Sequence, residues 1–253
     1  MRLENKRALI TGAGSGIGAA IAERFANEGA HVALLGRTEA KLKTIRSRLP
    51  KDRTVQAIVC DVSDPSQCEA AVRETVSALS GLDILVNSAG IFRGGGADEL
   101  TLEDFETMLR INLTGPLWLS KLALGPMREA GGGAILNISS TLALRPVPSS
   151  LAYSISKAAL DMMTRCLALD HGGEGIRVNA ISPAIVETPI HGTVMPSDAV
   201  AEMYAQMATH HPLGRIGRPD DIAGAAVHLC SDESSWTTGS VFVVDGGLSL
   251  AGP

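Results

Sequence analysis

The chain has 253 residues, of which 45% are hydrophobic, 19% are charged and only 3% are aromatic, and its formal net charge is −5. This composition supports a large aliphatic core and argues against disorder. The absence of a basic run and of aromatic platforms argues against binding to nucleic acid or to an anionic membrane surface.

The cysteines indicate a reducing compartment. The chain contains Cys60, Cys68, Cys166 and Cys230, and none forms a CxxC pair or lies near a histidine at zinc spacing. We therefore expect free thiols, no metal site and a cytoplasmic protein. No apolar run reaches the roughly 20 residues that a membrane span needs. We also expect no signal peptide, because the chain enters a strand within a few residues of Met1.

Apolar runs alternate with segments of helical period along the chain. The predicted strands are Arg7–Ile10, Val32–Leu35, Val55–Val59, Ile84–Val86, Ala134–Ile138, Val178–Ile181 and Val241–Val244. The predicted helices are Ile17–Glu28, Glu39–Arg48, Pro65–Ser80, Leu102–Glu129, Ser150–His171 and Asp220–Cys230. Because the strands lack period-two alternation, we expect them to be parallel and buried on both faces. The sequence thus predicts one α/β domain over residues 1–253, with a doubly wound seven-stranded sheet and helices on both faces.

One long stretch, Ser182–Pro219, shows no clear period and is rich in Pro, Met and His. It follows a predicted strand and precedes the last helix, a position that favours a substrate flap at about residues 185–215 over an ordinary surface excursion. Several apolar residues in it suggest a hydrophobic carbonyl substrate, although the same residues could pack a flap helix. They are Val194, Met195, Met203 and Met207.

A glycine-rich turn joins the first strand to the first helix. The segment Thr11–Gly18 reads TGAGSGIG and has glycine at alternate positions from Gly12 onwards. Glycines let the backbone approach a pyrophosphate, and the helix N-terminus supplies N–H groups for it. The turn therefore predicts dinucleotide binding rather than a purely structural role.

The end of the second strand indicates which dinucleotide binds. An acidic residue there would accept from the ribose 2′-OH and mark NAD(H). This chain instead has Gly36, which leaves space, and Arg37, whose guanidinium suits a phosphate. We therefore expect NADP(H) to be favoured over NAD(H).

Two further strand ends are expected to approach the cofactor. Asp61, next to Val62, could accept from the adenine amino group or could cap the helix that Pro65 opens, and both readings stay open. The segment Asn87–Gly90 ends the fourth strand, where a turn has to pass close to the cofactor.

A tyrosine and a lysine stand four residues apart at Tyr153 and Lys157, shortly after the pair Ser139–Ser140. Side chains at i and i+4 share one face of a helix. A neighbouring ammonium favours phenolate, and we expect it to lower the pKa of Tyr153 from its ordinary value near 10 towards neutrality. Such a phenol would serve as a general acid/base.

Together these motifs resemble the short-chain dehydrogenase/reductase family over essentially the whole chain. The matching residues are Thr11–Gly18, Asp61, Asn87–Gly90, Asn112, Ser140, Tyr153, Lys157, Pro183 and Thr188. The resemblance implies a Rossmann fold, a nicotinamide cofactor, hydride transfer between a carbonyl and an alcohol, and a homotetramer. The implied partner is a small carbonyl or alcohol substrate, without nucleic acid or membrane.

The resemblance also implies roles for individual residues. Tyr153 would be the general acid/base, and Lys157 would lower its pKa and bind the nicotinamide ribose. Ser140 would orient the substrate oxygen, which leaves Ser139 to packing, and Asn112 would hold a water that links Lys157 to solvent. The implied cofactor contacts are Gly12, Ser15, Gly16, Ile17, Gly18, Arg37, Asp61, Val62, Asn87, Ala89, Gly90, Tyr153, Lys157, Pro183, Val186 and Thr188, the last of these bonding the carboxamide.

Two positions depart from the family pattern. Ser88 replaces an asparagine, and this change should leave the turn intact. Ala184 replaces a glycine after Pro183, and alanine adopts a positive φ less readily. The path of the loop beside the nicotinamide, and the role of Ile185 in it, depend on this substitution.

Alternatives to a ketone reductase or alcohol dehydrogenase stay open. A 3-oxoacyl-thioester reductase is a variant of the same class. A non-catalytic NADP-binding sensor would not need the complete catalytic set, and an epimerase would need a longer chain after Pro183. A hydrolase is disfavoured because no GxSxG motif surrounds Ser140. Among the histidines, His191 is the best placed to touch a substrate.

Overall fold

Within residues 1–251, which the computed structural model describes, seven strands alternate with eight α-helices. The strands are β1 Arg7–Thr11, β2 His31–Gly36, β3 Val55–Val59, β4 Ile84–Asn87, β5 Gly133–Ile138, β6 Ile176–Pro183 and β7 Val241–Val244. The helices are α1 Gly16–Asn27, α2 Glu39–Arg48, α3 Pro65–Leu79, α4 Leu102–Leu109, α5 Gly115–Glu129, α6 Leu151–His171, α7 Ser197–His210 and α8 Pro219–Cys230. In the same residues, no helix combines the length and apolar character that crossing a membrane requires.

All the strands pair in parallel and form one sheet in the order β3-β2-β1-β4-β5-β6-β7. The chain first runs outwards from β1 to β3 and then crosses back to β4 on the other side of β1. This reversal of strand order opens a crevice at the carboxyl ends of β1 and β4, where open α/β sheets bind ligands. The predicted doubly wound Rossmann-type domain is confirmed.

Alternate residues of each strand face opposite layers of helix. Ile10 of β1 and Leu34 of β2 pack with α1, α2 and α8, while their neighbours Leu9 and Leu35 pack with α3, α5 and α6. All of these side chains are fully buried. Because both faces of the sheet are covered, the strands read as continuous apolar runs.

The single long helix predicted over Leu102–Glu129 is interrupted. α4 ends at Leu109, and a π-helical turn over Arg110–Thr114 leads into α5. Such turns inside α-helices often occur at functional sites. The available signal was the dipeptide Gly115–Pro116, which marks a break in the chain and the first turn of α5.

The stretch between β6 and α8 is more ordered than the sequence indicates. It contains α7, and none of the residues of this helix is buried. Val200, Met203, Tyr204 and Met207 stand at i, i+3, i+4 and i+7 and are half-buried, which agrees with the alternative that the apolar residues of this stretch pack a flap helix.

Candidate active site

The glycine turn forms a cradle that only small residues fit. A Cβ on Gly12 would lie 2.9 Å from Ala89 Cα, and one on Gly18 would lie 2.5 Å from Gly12 O. Gly12 and Gly16 also have positive φ values of 66° and 55°. α1 begins at Gly16, and the Ser15 side chain does not cap it. Backbone N–H groups and a helix N-terminus therefore face a crevice that fits a dinucleotide pyrophosphate.

The turns after β1 and β4 are fastened to each other beside this cradle. Thr11 Oγ1 accepts from Ser88 N at 2.9 Å and from Ala89 N at 3.0 Å. Asn87 Nδ2 donates to Asn137 Oδ1 at 2.9 Å, whereas the buried Asn87 Oδ1 has no partner. An unpaired buried acceptor is costly, and this one lies at the end of β4, where the cofactor is expected.

At the end of β2, basic side chains surround a small residue. A Cβ on Gly36 would meet Leu42 Cδ2 at 3.3 Å, and Arg37 is exposed. Lys41, which the sequence reasoning did not single out, packs its stem against Gly14, where a Cβ would lie 3.1 Å from Lys41 Cβ. Within residues 1–251, neither Arg37 nor Lys41 takes part in an ion pair. The i, i+4 spacing of the two bases was the available signal.

The capping alternative for Asp61 is wrong. The cap of α3 is Asp64, whose side chain accepts from Ser66 N and Gln67 N. Asp61 Oδ1 instead accepts from Ser63 N at 2.9 Å and from Ser63 Oγ at 2.7 Å. Asp64 is the N-cap because it stands directly before Pro65, the first residue of the helix.

Ser140, Tyr153 and Lys157 meet at the carboxyl ends of β5 and β6. Ser140 opens a short 3₁₀ turn after β5, and its hydroxyl lies beside the Tyr153 phenol. Tyr153 and Lys157 occupy successive turns of α6, with Lys157 Nζ 5.6 Å from the centre of the tyrosine ring. Lys157 is only 5% exposed and donates to Ile138 O at 2.7 Å. The i, i+4 spacing therefore brings the Tyr153 and Lys157 side chains together on one face of α6.

Burial dominates the electrostatics of this group. It raises the pKa of Tyr153 to about 12, although the Ser140 hydroxyl opposes the rise. It also lowers the pKa of Lys157 to about 8, against the attraction of Asp161. The expected lowering of the tyrosine pKa is therefore not found in the chain by itself, because removing the phenolate charge from water outweighs the Ser140 hydrogen bond.

Asn112 lies in the π-helical turn and is completely buried. Its Oδ1 accepts from Ile91 N at 2.9 Å, and its Nδ2 donates to Ile91 O at 3.0 Å and to Ser156 Oγ at 3.1 Å. A Cβ on Gly90 would lie 3.3 Å from Asn112 Oδ1 and 3.7 Å from Lys157 Nζ. Asn112 thus fastens the segment after β4 to α6, next to the lysine.

The loop after β6 passes over the glycine turn. Pro183 ends β6, and Val186 is buried and forms a bridge with Gly217. Ala184 does not have a positive φ, so the replacement of glycine causes no backbone strain there. Thr188 reaches the cradle, because a Cβ on Gly16 would lie 3.2 Å from Thr188 Cγ2.

The structure adds neighbours to Tyr153 that the sequence reasoning missed. The Phe92 ring meets the tyrosine ring edge to face, with centroids 5.1 Å apart. Asp161, one helical turn beyond Lys157, is 3% exposed and its carboxylate has no hydrogen-bond partner of regular geometry. The i, i+4 repeat from Tyr153 through Lys157 was the only signal for Asp161, and Phe92 had none. In residues 1–251, no group of His, Cys, Asp and Glu is arranged to hold a metal ion.

Comparison with known proteins agrees with this geometry. Residues 12–249 match a family model described as enoyl-(acyl carrier protein) reductase. D-threitol dehydrogenase from Mycolicibacterium smegmatis is 38% identical over 98% of this chain and 95% of its own length. Glucose 1-dehydrogenase from Gluconobacter oxydans is 38% identical over 99% of this chain and 94% of its own length.

Solved structures share the fold across the whole chain. A short-chain type dehydrogenase/reductase from Mycobacterium marinum has a TM-score of 0.89 and 33% identity, covering 98% of this chain and 96% of its own. A 3-ketoacyl-(acyl-carrier-protein) reductase from Brucella melitensis, complexed with NADH, has a TM-score of 0.90 and 35% identity, covering 98% and 99%. The chain therefore belongs to the short-chain dehydrogenase/reductases, a family of oxidoreductases that act on CH–OH groups with a nicotinamide cofactor.

Proposed function

We propose that this protein is an NADP(H)-dependent oxidoreductase that interconverts a ketone or aldehyde and an alcohol, with Tyr153 as the general acid/base. The observation that carries the proposal is the meeting of a serine hydroxyl, a phenol and a buried ammonium in the crevice beside the glycine cradle. Bound nicotinamide would supply or accept the hydride.

The protein's own part is the proton. With a pKa of about 12, Tyr153 is protonated at neutral pH and can donate to a carbonyl oxygen during reduction. The neighbouring Ser140 hydroxyl would donate to the same oxygen and stabilise its developing negative charge. Lys157, with a pKa of about 8, keeps most of its charge at pH 7 and stabilises the phenolate that proton donation leaves.

Replacing Tyr153 with Phe tests this assignment. Turnover should fall by roughly 100- to 10,000-fold, the usual contribution of a general acid/base. NADPH affinity should change by no more than about tenfold, which corresponds to the one hydrogen bond that the lost hydroxyl can make. Steady-state kinetics and titration of NADPH fluorescence measure the two quantities. Turnover within tenfold of the parent enzyme would remove Tyr153 from the mechanism.

The cofactor preference rests on this chain's own residues, since its Brucella relative was solved with NADH. Arg37 is exposed and free of ion pairs within residues 1–251, and Lys41 lies against the glycine turn. The Thr38 side chain leaves the N-terminus of α2 uncapped. These groups suit the 2′-phosphate of NADP(H).

Replacing Arg37 with Ala should raise the KM for NADPH roughly tenfold or more, because a charge-assisted hydrogen bond is lost, and should leave NADH almost unaffected. Arg46, exposed on α2, provides the matched control as Arg46→Ala. If the parent enzyme has a higher kcat/KM with NADH than with NADPH, the proposed preference is wrong.

The substrate side of the crevice supports an apolar carbonyl compound. Phe92 lies against the tyrosine, and the 185–215 segment, proposed as a flap over the substrate, carries exposed Val194 and Met195. A kinetic panel of apolar ketones, aldehydes and 3-oxoacyl thioesters with NADPH, and of apolar alcohols and polyols with NADP⁺, tests the substrate class. Higher kcat/KM for threitol or glucose than for every apolar alcohol would contradict it. The Brucella relative makes 3-oxoacyl thioesters the second candidate.

We also propose a cytoplasmic homotetramer. The edge strand β7 exposes Phe242 and Val243 at 46% and 42%, and α6 exposes Met162 and Leu169. Two separate self-associating surfaces produce a dimer of dimers. Light scattering should give a mass of four chains, and Phe242→Asp should reduce it to two. A monomeric parent protein would contradict the proposal, as would its recovery from an oxidising compartment.

A further inference from the structure

Helix α7 contributes no residue to the buried hydrophobic core. Its apolar side chains Val200, Met203 and Met207 are only half-buried, so it gains less from apolar burial than the core helices do. The base of the 185–215 segment is pinned separately, since Glu187 N donates to Gly217 O and Gly217 N to Ile185 O, both at 2.9 Å. At the middle of the segment, a polar contact adds to this partial burial.

The phenol of Tyr204 makes that contact. Its Oη accepts from Thr188 N at 3.2 Å and donates to Thr188 O at 3.1 Å. The same oxygen lies 2.9 Å from His191 Nδ1, and the two rings meet edge to face with centroids 5.4 Å apart. One side chain of α7 therefore binds both backbone groups of a single residue in the loop after β6.

The tautomer of His191 decides whether each hydrogen bond to Tyr204 Oη has one donor and one acceptor. A phenol has one proton to donate and two lone pairs that accept. If His191 carries its proton on Nδ1, Oη accepts from Thr188 N and from His191, and its own proton goes to Thr188 O. With the proton on Nε2, two acceptors would compete for one phenol proton. The geometry thus favours the Nδ1–H form of His191, in which each of the three contacts of Tyr204 Oη pairs one donor with one acceptor.

The residue that Tyr204 holds is the one that reaches the cofactor cradle. Thr188 lies against Gly16, the first residue of α1, and Pro189 Cδ would lie 3.5 Å from a Cβ on the same glycine. Release of the phenol would free both the N–H and the carbonyl of Thr188 and would detach α7 at its middle.

We infer that Tyr204 and His191 form a latch, which fastens α7 to Thr188 and couples closure of the 185–215 segment to cofactor binding. The inference rests on the proposed contact between Thr188 and the nicotinamide cofactor. Tyr204 is a positioning residue in this scheme, because it acts through Thr188 and not on the reacting atoms.

Tyr204→Phe tests the latch, since it keeps the ring and removes the oxygen that makes all three contacts. Hydrogen–deuterium exchange of the protein without cofactor should become roughly tenfold faster across residues 187–210, and exchange in β1 and β4 should stay unchanged. His191→Ala removes one contact and should give a smaller effect. His210→Asn, an exposed substitution on the same helix, is the control. Equal exchange in Tyr204→Phe and the control would overturn the latch.

The coupling is tested by NADPH titration of the same variants. Loss of the latch should raise the Kd of NADPH about tenfold, which corresponds to one hydrogen bond. NADPH should slow exchange at 187–210 in the parent protein and much less in Tyr204→Phe. Faster exchange with an unchanged Kd would overturn the coupling and leave a purely structural contact. Thr188→Ala distinguishes a failure of the proposed contact between Thr188 and the cofactor from a failure of the latch. An unchanged Kd of NADPH in that variant would show that the Thr188 side chain does not contact the cofactor, and the coupling would then be wrong for that reason.

Discussion

The buried lysine predicts a specific dependence of stability on pH. Burial lowers the pKa of Lys157 from 10.5 to about 8 in the folded protein. One pKa unit corresponds to about 1.4 kcal/mol, so holding the protonated lysine costs the folded state about 3 kcal/mol at pH 7 relative to an exposed lysine. The side chain is only 5% exposed, so solvent screening removes little of this cost.

The folded and unfolded states release the lysine proton at different pH values, so the free energy of unfolding depends on pH. Between pH 8 and 10.5 the unfolded chain keeps the lysine proton while the folded protein has lost it, so the free energy of unfolding rises with pH. Lys157→Met lacks this contribution. The free energy of unfolding of the parent protein, minus that of Lys157→Met, should therefore increase by about 2 to 3 kcal/mol from pH 7 to pH 10.

Urea denaturation followed by circular dichroism, at one protein concentration and without cofactor, measures this difference. The lost hydrogen bond from Lys157 to Ile138 O adds an offset that does not vary with pH. Lys51→Met, which replaces an exposed lysine, should show no pH-dependent difference from the parent protein. If the free energies of unfolding of the parent protein and of Lys157→Met differed by the same amount at pH 7 and pH 10, burial would not disfavour the charge of Lys157.

Three further substitutions test the cradle and the site. Gly36→Asp should lower the ratio of kcat/KM for NADPH to that for NADH at least tenfold, because a carboxylate repels the 2′-phosphate; its Cβ displaces only the flexible end of Leu42. Gly12→Ala should lower the free energy of unfolding by roughly 1 to 2 kcal/mol or more, because alanine is strained at φ 66°. The control Gly125→Ala, which has open space around it, should not lower the free energy of unfolding. Equal urea midpoints for the two variants would contradict this prediction. Asp161→Asn should move the basic limb of the pH profile for carbonyl reduction to lower pH, because the Asp161 carboxylate raises the pKa of Lys157. A basic limb at the same pH in the variant would show that Asp161 does not set the pKa of Lys157.

Much of the fold could be predicted because its signals are local. The buried strands read as apolar runs, and the glycines at Gly12 and Gly18 are required wherever this turn forms, since a Cβ would strike backbone atoms. The Tyr153–Lys157 spacing needs only a helix. The chemistry proposed for these positions therefore rests on short segments of chain.

Other features depend on contacts between distant segments. Asn112 is placed by a π-helical turn, and its partners Ile91 and Ser156 come from different parts of the chain. Its surroundings are therefore not contained in a local pattern.

The sequence alone determined the class of fold, the glycine turn and the i, i+4 spacing of Tyr153 and Lys157, because backbone sterics and helical period act over a few residues. The tertiary structure alone decided the electrostatics of the site. Whether Lys157 is an ordinary cation depends on how much water surrounds it, and burial lowers its pKa to about 8. The link from Tyr204 to Thr188 likewise exists only because α7 folds back onto the loop after β6, and no local pattern encodes that approach.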